Sequence, residues 1–281
     1  MKKKRKRSNF IVQGSILAIA SIIVRLIGLV YRIPLTNVIG DEGMGYYSYA
    51  YEPYAVMLLL SYHGLPTAVS KLVAEKNGEG RYRSSYRVFK TGMLLAVVIG
   101  AITGALLWFG ADFIAGALNH QPMSSYALKV LGPTLFILSI MGILRGYFQG
   151  TGTMVPTAVS QILEAVVNAI ISVVAATILF AEGKKFDLVT GTKSFAEAYG
   201  AAGGTLGTCA GALAALLFLL FVYSIYKKII RKQIRRDRVK EVESYGRITR
   251  ILFLISAPIV LSSIIMNIGT SVDAAIFSRI M

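Results

Sequence analysis

Arg145-Gly146-Tyr147-Phe148-Gln149-Gly150-Thr151-Gly152-Thr153-Met154-Val155-Pro156-Thr157-Ala158-Val159-Ser160-Gln161-Ile162-Leu163-Glu164 lies between two apolar runs, each long enough to cross a bilayer. Its glycines allow a tight reversal at the membrane surface, and Pro156 suits the first turn of the helix that follows, where a missing N–H is no loss. Two membrane helices therefore meet at this stretch, with Arg145 read as part of the turn between them. The second helix carries Gln161, Glu164, Asn168 and Ser172 at offsets of three or four, which places them on one face. A carboxylate in a spanning helix has to face protein or water, not lipid.

Working outward, further apolar runs divide the 281 residues into a series of spans. The reading places spans at about residues 10–33, 46–72, 88–109, 125–148, 156–180, 200–226 and from 251 onward. Such a chain is all-α, a polytopic transmembrane helix bundle. External segments are expected at residues 34–45, 112–124 and 181–199, and the last of these reads as a polar loop with a small turn or hairpin. Gly200/Gly204, Gly203/Gly207 and Gly207/Gly211 repeat a four-residue spacing, which reads as close helix packing and not as a phosphate loop.

The formal charge of +16 raises the question of nucleic acid, but the basic residues collect in short segments between spans. That distribution is the signature of topology. It puts residues 1–9 in the cytoplasm, followed by a six-span lobe over residues 10–226. A basic linker over residues 227–250 follows, with apolar residues interleaved, suited to an anionic inner leaflet. The seventh span, residues 251–281, comes last. The first apolar run is too long for the ~7–15-residue core of a signal peptide, so the N-terminal segment is read as uncleaved. A lone Cys209 leaves no internal disulfide, and His63 and His120 are too sparse for a metal or catalytic centre. No cofactor and no enzymatic constellation is expected.

Ser21, Arg25, Gly28 and Arg32 share a face of the first helix. An arginine inside a span costs at least ~2.5–3.5 kcal/mol in lipid, so Arg25 should point into a hydrated, protein-lined cavity. A structural alternative is a pair with a carboxylate on a neighbouring helix. Arg32, nearer the boundary, can snorkel. His63 precedes Gly64 and Pro66 in a bent inner half of the second span and is a candidate for proton coupling. Ser256, Ser263, Asn267, Thr270 and Asp273 trace a polar stripe on the seventh span.

Arg-Gly-Tyr-Phe-Gln-Gly followed by Met-Val-Pro-Thr-Ala and Ser-Gln-x-x-Glu resembles the polysaccharide-biosynthesis branch of the multidrug/oligosaccharidyl-lipid/polysaccharide exporter superfamily. Within it, the similarity is to the stage V sporulation protein B-like proteins and lipid II flippases. Residues 64–75, Gly-Leu-Pro-Thr-Ala-Val-Ser-Lys-Leu-Val-Ala-Glu, and residues 21–32 around Arg25 add to the resemblance. It implies a six-helix N-lobe plus the first helix of a second lobe, since family members are about twice as long. The expected cargo is an undecaprenyl-linked sugar for cell-wall or spore-wall synthesis. Arg25 and Arg32 would take the pyrophosphate, and Gln161, Glu164 and Asn168 the sugar. Asn267, Asp273 and His63 would serve ion coupling or gating, with Na+ or H+ as the ion. A multidrug extruder of the same superfamily and a non-transporting scaffold in envelope assembly are the alternatives. Leu58-Leu59-Leu60 stands where a basic pair is expected for lipid II. The expected location is the cell membrane.

Overall fold

The computed structural model describes the backbone of residues 2–118, 120–191, 194–237 and 243–280, and the side chains of these except 2–11, 118, 236 and 267–280. Nearly all of the described backbone is helical, and none of it is strand. Eight α-helices follow in order: α1 (Lys2–Leu58), α2 (Gly64–Gly78), α3 (Tyr82–Phe109), α4 (Ala111–Phe113), α5 (Ser125–Gly150), α6 (Val155–Thr190), α7 (Phe195–Arg236) and α8 (Tyr245–Ile280). One π-helical turn, Leu59–His63, joins α1 to α2 without a break.

Six helical runs among the described residues are long and apolar enough to cross a membrane, and the first, Val12–Gly78, has 67 residues. A straight helix of that length would measure about 100 Å, against ~30 Å of bilayer core. Gly40 divides it. Its φ of 68° and ψ of −177° fall in a region open essentially to glycine alone. The Tyr31 and Tyr47 hydroxyls, sixteen residues apart, lie 3.3 Å from each other; in a straight helix they would be separated by about 24 Å. The run therefore folds back and supplies two spans. The external turn expected over residues 34–45 is thus replaced by a reversal at Gly40, with helix on both sides and Pro34 inside it.

The expected polar loop over residues 181–199 is also corrected. Helix α6 continues to Thr190 and stops at Gly191, whose left-handed φ of 72° caps it. Asp187 then accepts hydrogen bonds from the N–H groups of Phe195 and Ala196, both at 3.0 Å, tying the first turn of α7 to the last turn of α6.

Small residues set the helix spacing. A Cβ placed on Gly203, Gly207 or Gly211 would overlap α6 at Ala176, Ser172 and the Glu164 carbonyl, so the glycine ladder seats α7 directly against α6. Gly146 meets the Pro66 carbonyl in the same manner, and Gly142 and Gly150 extend that seam along α2. Helix α5 is the centre of the bundle, with every residue from 141 to 148 buried. Exposed Ile22, Leu26, Ile170, Ile178, Leu217 and Phe221 cover the outside, as a lipid-facing surface requires.

One end of the bundle gathers the start of α1, the α2–α3 turn, the α5–α6 turn and the α7–α8 connection. Gln13 Oε1 accepts a hydrogen bond from the Met154 N–H at 2.8 Å. Buried Lys76 lies 3.0 Å from Glu243, and Arg81 lies 3.5 Å from the same carboxylate. The Arg83 N–H donates to Asp237 at 2.7 Å, Arg87 donates to the Glu243 carbonyl at 2.7 Å, and its guanidinium stacks on Tyr245. The basic segment of residues 227–250 is therefore not one separate helix. Its first part prolongs α7, its last part opens α8, and Asp237 and Glu243 between them bind the α2–α3 region.

Candidate functional site

Helices α1 and α6, with Arg145 of α5, enclose a cavity of about 430 Å³. Ser21, Arg25, Gly28 and Tyr31 line it from α1, and Gln161, Glu164, Ala165 and Asn168 from α6. The four-residue periodicity that placed these side chains on single helix faces thus brings the two faces together. Arg25 is exposed on this cavity and makes no ion pair among the described residues. Among the described residues, no carboxylate takes the place of the partner that the structural alternative gives Arg25.

The carboxylate of Glu164 is engaged elsewhere. Arg145 is 4% exposed, and each of its guanidinium nitrogens has a partner. Its Nη2 donates to Glu164 Oε2 at 2.7 Å, Nη1 to the Tyr62 hydroxyl at 3.0 Å, and Nε to Ser160 Oγ at 2.9 Å. Arg145 sits inside α5, since the α5–α6 turn begins only at Thr151. Reading it as a surface charge of the turn is therefore corrected. Its flanks held a signal: Gly142 and Gly146 sit four residues apart on either side, small enough to bring α2 over the arginine and bury it.

Gln161 lines the cavity, and its Oε1 is buried without a hydrogen-bond partner. Asn168 Oδ1 lies 2.8 Å from Ser172 Oγ, which in turn lies 2.7 Å from the Gly204 carbonyl of α7. Among the described residues, the cavity is thus lined by one cation without an ion pair, one internally neutralised ion pair and two amides. Among the described residues, no three His, Cys, Asp or Glu side chains converge as metal ligands.

The sequence pattern of the family described as "Polysaccharide biosynthesis protein" matches residues 11–281. The chain belongs to that family. It is 33% identical over 208 residues to the lipid II flippase MurJ of Bacillus subtilis, a match covering 70% of this chain and 38% of MurJ. It is 32% identical over 180 residues to the stage V sporulation protein B of the same organism, covering 64% of this chain and 35% of that protein. Among solved structures, an outward-facing multidrug resistance MATE family transporter of the MOP superfamily superposes with a TM-score of 0.69 at 15% identity, over 93% of this chain and 54% of the transporter. A MOP superfamily transporter from Pyrococcus furiosus gives a TM-score of 0.64, also at 15% identity, over 91% of this chain and 53% of that one. The chain thus spans about half the length of the solved transporters and less of its curated relatives. At that identity the structures establish the fold, a polytopic helical membrane bundle.

Against this site, the remaining expected residues separate. Arg32 is exposed and does not line the cavity, so it does not join Arg25 there. His63 closes the π-helical turn, is exposed, and meets Tyr62 edge-on at 5.8 Å, next to the Arg145 network but outside the cavity. The side chains of Asn267 and Asp273 lie outside the described residues. Tyr62, Ser160 and Arg145 are the network members that sequence reasoning missed.

Proposed function

We propose that this chain forms the first lobe of a membrane flippase or exporter for a lipid-linked oligosaccharide or peptidoglycan precursor used in cell-wall or spore-wall synthesis. The observation that carries the reading is the uncompensated Arg25 at a cavity shared with Gln161, Glu164 and Asn168. A pyrophosphate takes a charge-assisted, forked contact from a guanidinium, and sugar hydroxyls pair with amides such as those of Gln161 and Asn168. The lipid tail stays in the bilayer. Seams of small residues between α2 and α5 and between α6 and α7 suit rigid helix groups moving in an alternating-access cycle.

In this proposal, Na+, H+ or the membrane potential drives the cycle, with His63, Asn267 and Asp273 as the coupling or gating residues. The N-terminus is cytoplasmic. The start of α1, the basic α2–α3 turn and the α7–α8 connection share one end of the bundle, which supports that orientation, because the dense Lys/Arg segments then face one side. Basic residues at the end of α7 contact anionic inner-leaflet lipids.

The test is flux of a labelled lipid-linked precursor in vesicles containing the full chain, alone and together with a second lobe. Arg25→Ala abolishes flux while the protein still inserts, and Arg25→Lys restores part of it, because an ammonium replaces a fork with a point charge. Equal flux in wild type and Arg25→Ala contradicts the proposal. Movement of a cationic dye in place of the precursor favours the multidrug alternative.

A further inference from the structure

The cavity holds two arginines and one carboxylate, and the pairing among them is specific. Glu164 is the more accessible partner, with 26% of its side chain exposed, while the Arg145 side chain is 5% exposed. Left alone, Glu164 would offer the cavity a negative charge on the same lining as Arg25. Arg145 cancels it from behind. Its three contacts, to Glu164, Tyr62 and Ser160, come from α6 and from the π-helical turn, so the guanidinium is fixed and cannot itself swing toward cargo.

We propose that the Arg145–Glu164 pair sets the charge polarity of the cavity, making Arg145 a specificity-determining residue that never touches the cargo. With Glu164 neutralised, the single charge that the described lining residues offer cargo is Arg25, and the site selects anions. Without Arg145, Arg25 and Glu164 oppose each other across the cavity and lipophilic cations become acceptable. One buried contact thus separates a site for pyrophosphate-bearing lipids from a site for cationic amphiphiles on the same scaffold. This inference rests on the reading of the cavity as the cargo site.

The experiment measures equilibrium binding of a short isoprenyl pyrophosphate and of tetraphenylphosphonium to the full chain purified in detergent. Wild type binds the pyrophosphate and not the cation. Arg145→Gln weakens pyrophosphate binding by roughly tenfold, the scale of one charge-assisted interaction, and gains tetraphenylphosphonium binding. The double variant Arg145→Gln/Glu164→Gln removes both charges of the pair and returns to the wild-type preference. An unchanged preference in Arg145→Gln, or a double variant that fails to restore it, overturns the inference. Where Arg145→Gln does not fold, Glu164→Gln decides: it leaves Arg145 uncompensated and tightens pyrophosphate binding, and weaker or equal binding overturns the inference. Wild-type protein that binds neither probe contradicts the cargo-site reading itself, so the two failures are distinguishable.

Discussion

The hydroxyls of Tyr31 and Tyr47 lie 3.3 Å apart although sixteen residues separate them. That contact exists because the backbone at Gly40 takes a conformation closed to side-chain-bearing residues. No neighbouring atom lies within 4 Å of a Cβ placed there, so the requirement is in the backbone and not in packing. Gly40→Ala is expected to cost about 1–3 kcal/mol, read as a lowered Tm. The nearby Gly45→Ala, in ordinary helical backbone with equally open surroundings, is expected to leave Tm unchanged or to raise it slightly.

The seam between α6 and α7 makes a second prediction. A side chain at Gly207 collides with Ser172, and Ser172 is the residue that joins Asn168 to the α7 backbone. Gly207→Leu is expected to separate the helices and disturb the cavity wall, costing at least ~1–3 kcal/mol. Leu217→Ala, on the lipid-facing side of α7, is expected to have little effect. Thermal unfolding in detergent compares the two.

The contact of Lys76 with Glu243 holds the α7–α8 connection on the α2–α3 turn. Removing Glu243 leaves the buried ammonium with Glu75 at 3.0 Å and Glu79 at 3.8 Å, both half-exposed carboxylates. Glu243→Gln is expected to destabilise by about 1–3 kcal/mol and to speed proteolysis in the connection. Replacing both Lys76 and Glu243 by methionine is expected to recover most of the stability, because the buried ammonium, left with only half-exposed partners in Glu243→Gln, is then gone as well. A double-mutant cycle on Tm measures the coupling.

Much of this was legible in the sequence, and the failures share a cause. Glu164, Gln161 and Asn168 were placed correctly because helical periodicity is local. Gly203, Gly207 and Gly211 announced a close seam by spacing alone. The reversal at Gly40 was blurred into a longer turn because Pro34 and Asp41-Glu42-Gly43 carry turn-like composition, yet helix tolerates them and one backbone dihedral angle decides the fold. Residues 181–190 looked like a loop because they are polar, but a helix leaving the bilayer stays a helix when its exposed residues pair, as Lys185 does with Glu182 at 2.6 Å. The burial of Arg145 depends on Tyr62, 83 residues earlier in the chain, and no local pattern reports that.

Orientation is tested by labelling from outside intact cells. In a Cys209→Ser background, a cysteine at Lys185 is expected to react with an impermeant maleimide, and one at Lys232 is expected to be protected. Both positions are exposed on the protein, so the difference reports the membrane side and not burial. Labelling at Lys232 together with protection at Lys185 reverses the orientation.

The most direct test of the cargo-site account is to photo-crosslink a lipid pyrophosphate carrying a diazirine near its head to the full chain in membranes and to map the adducts by mass spectrometry. The account predicts adducts on the cavity faces of α1 and α6, between Ser21 and Tyr31 and between Gln161 and Asn168, lost in Arg25→Ala and competed by inorganic pyrophosphate. Adducts confined to the lipid-facing residues of α7 and α8, unchanged by Arg25→Ala, would contradict it.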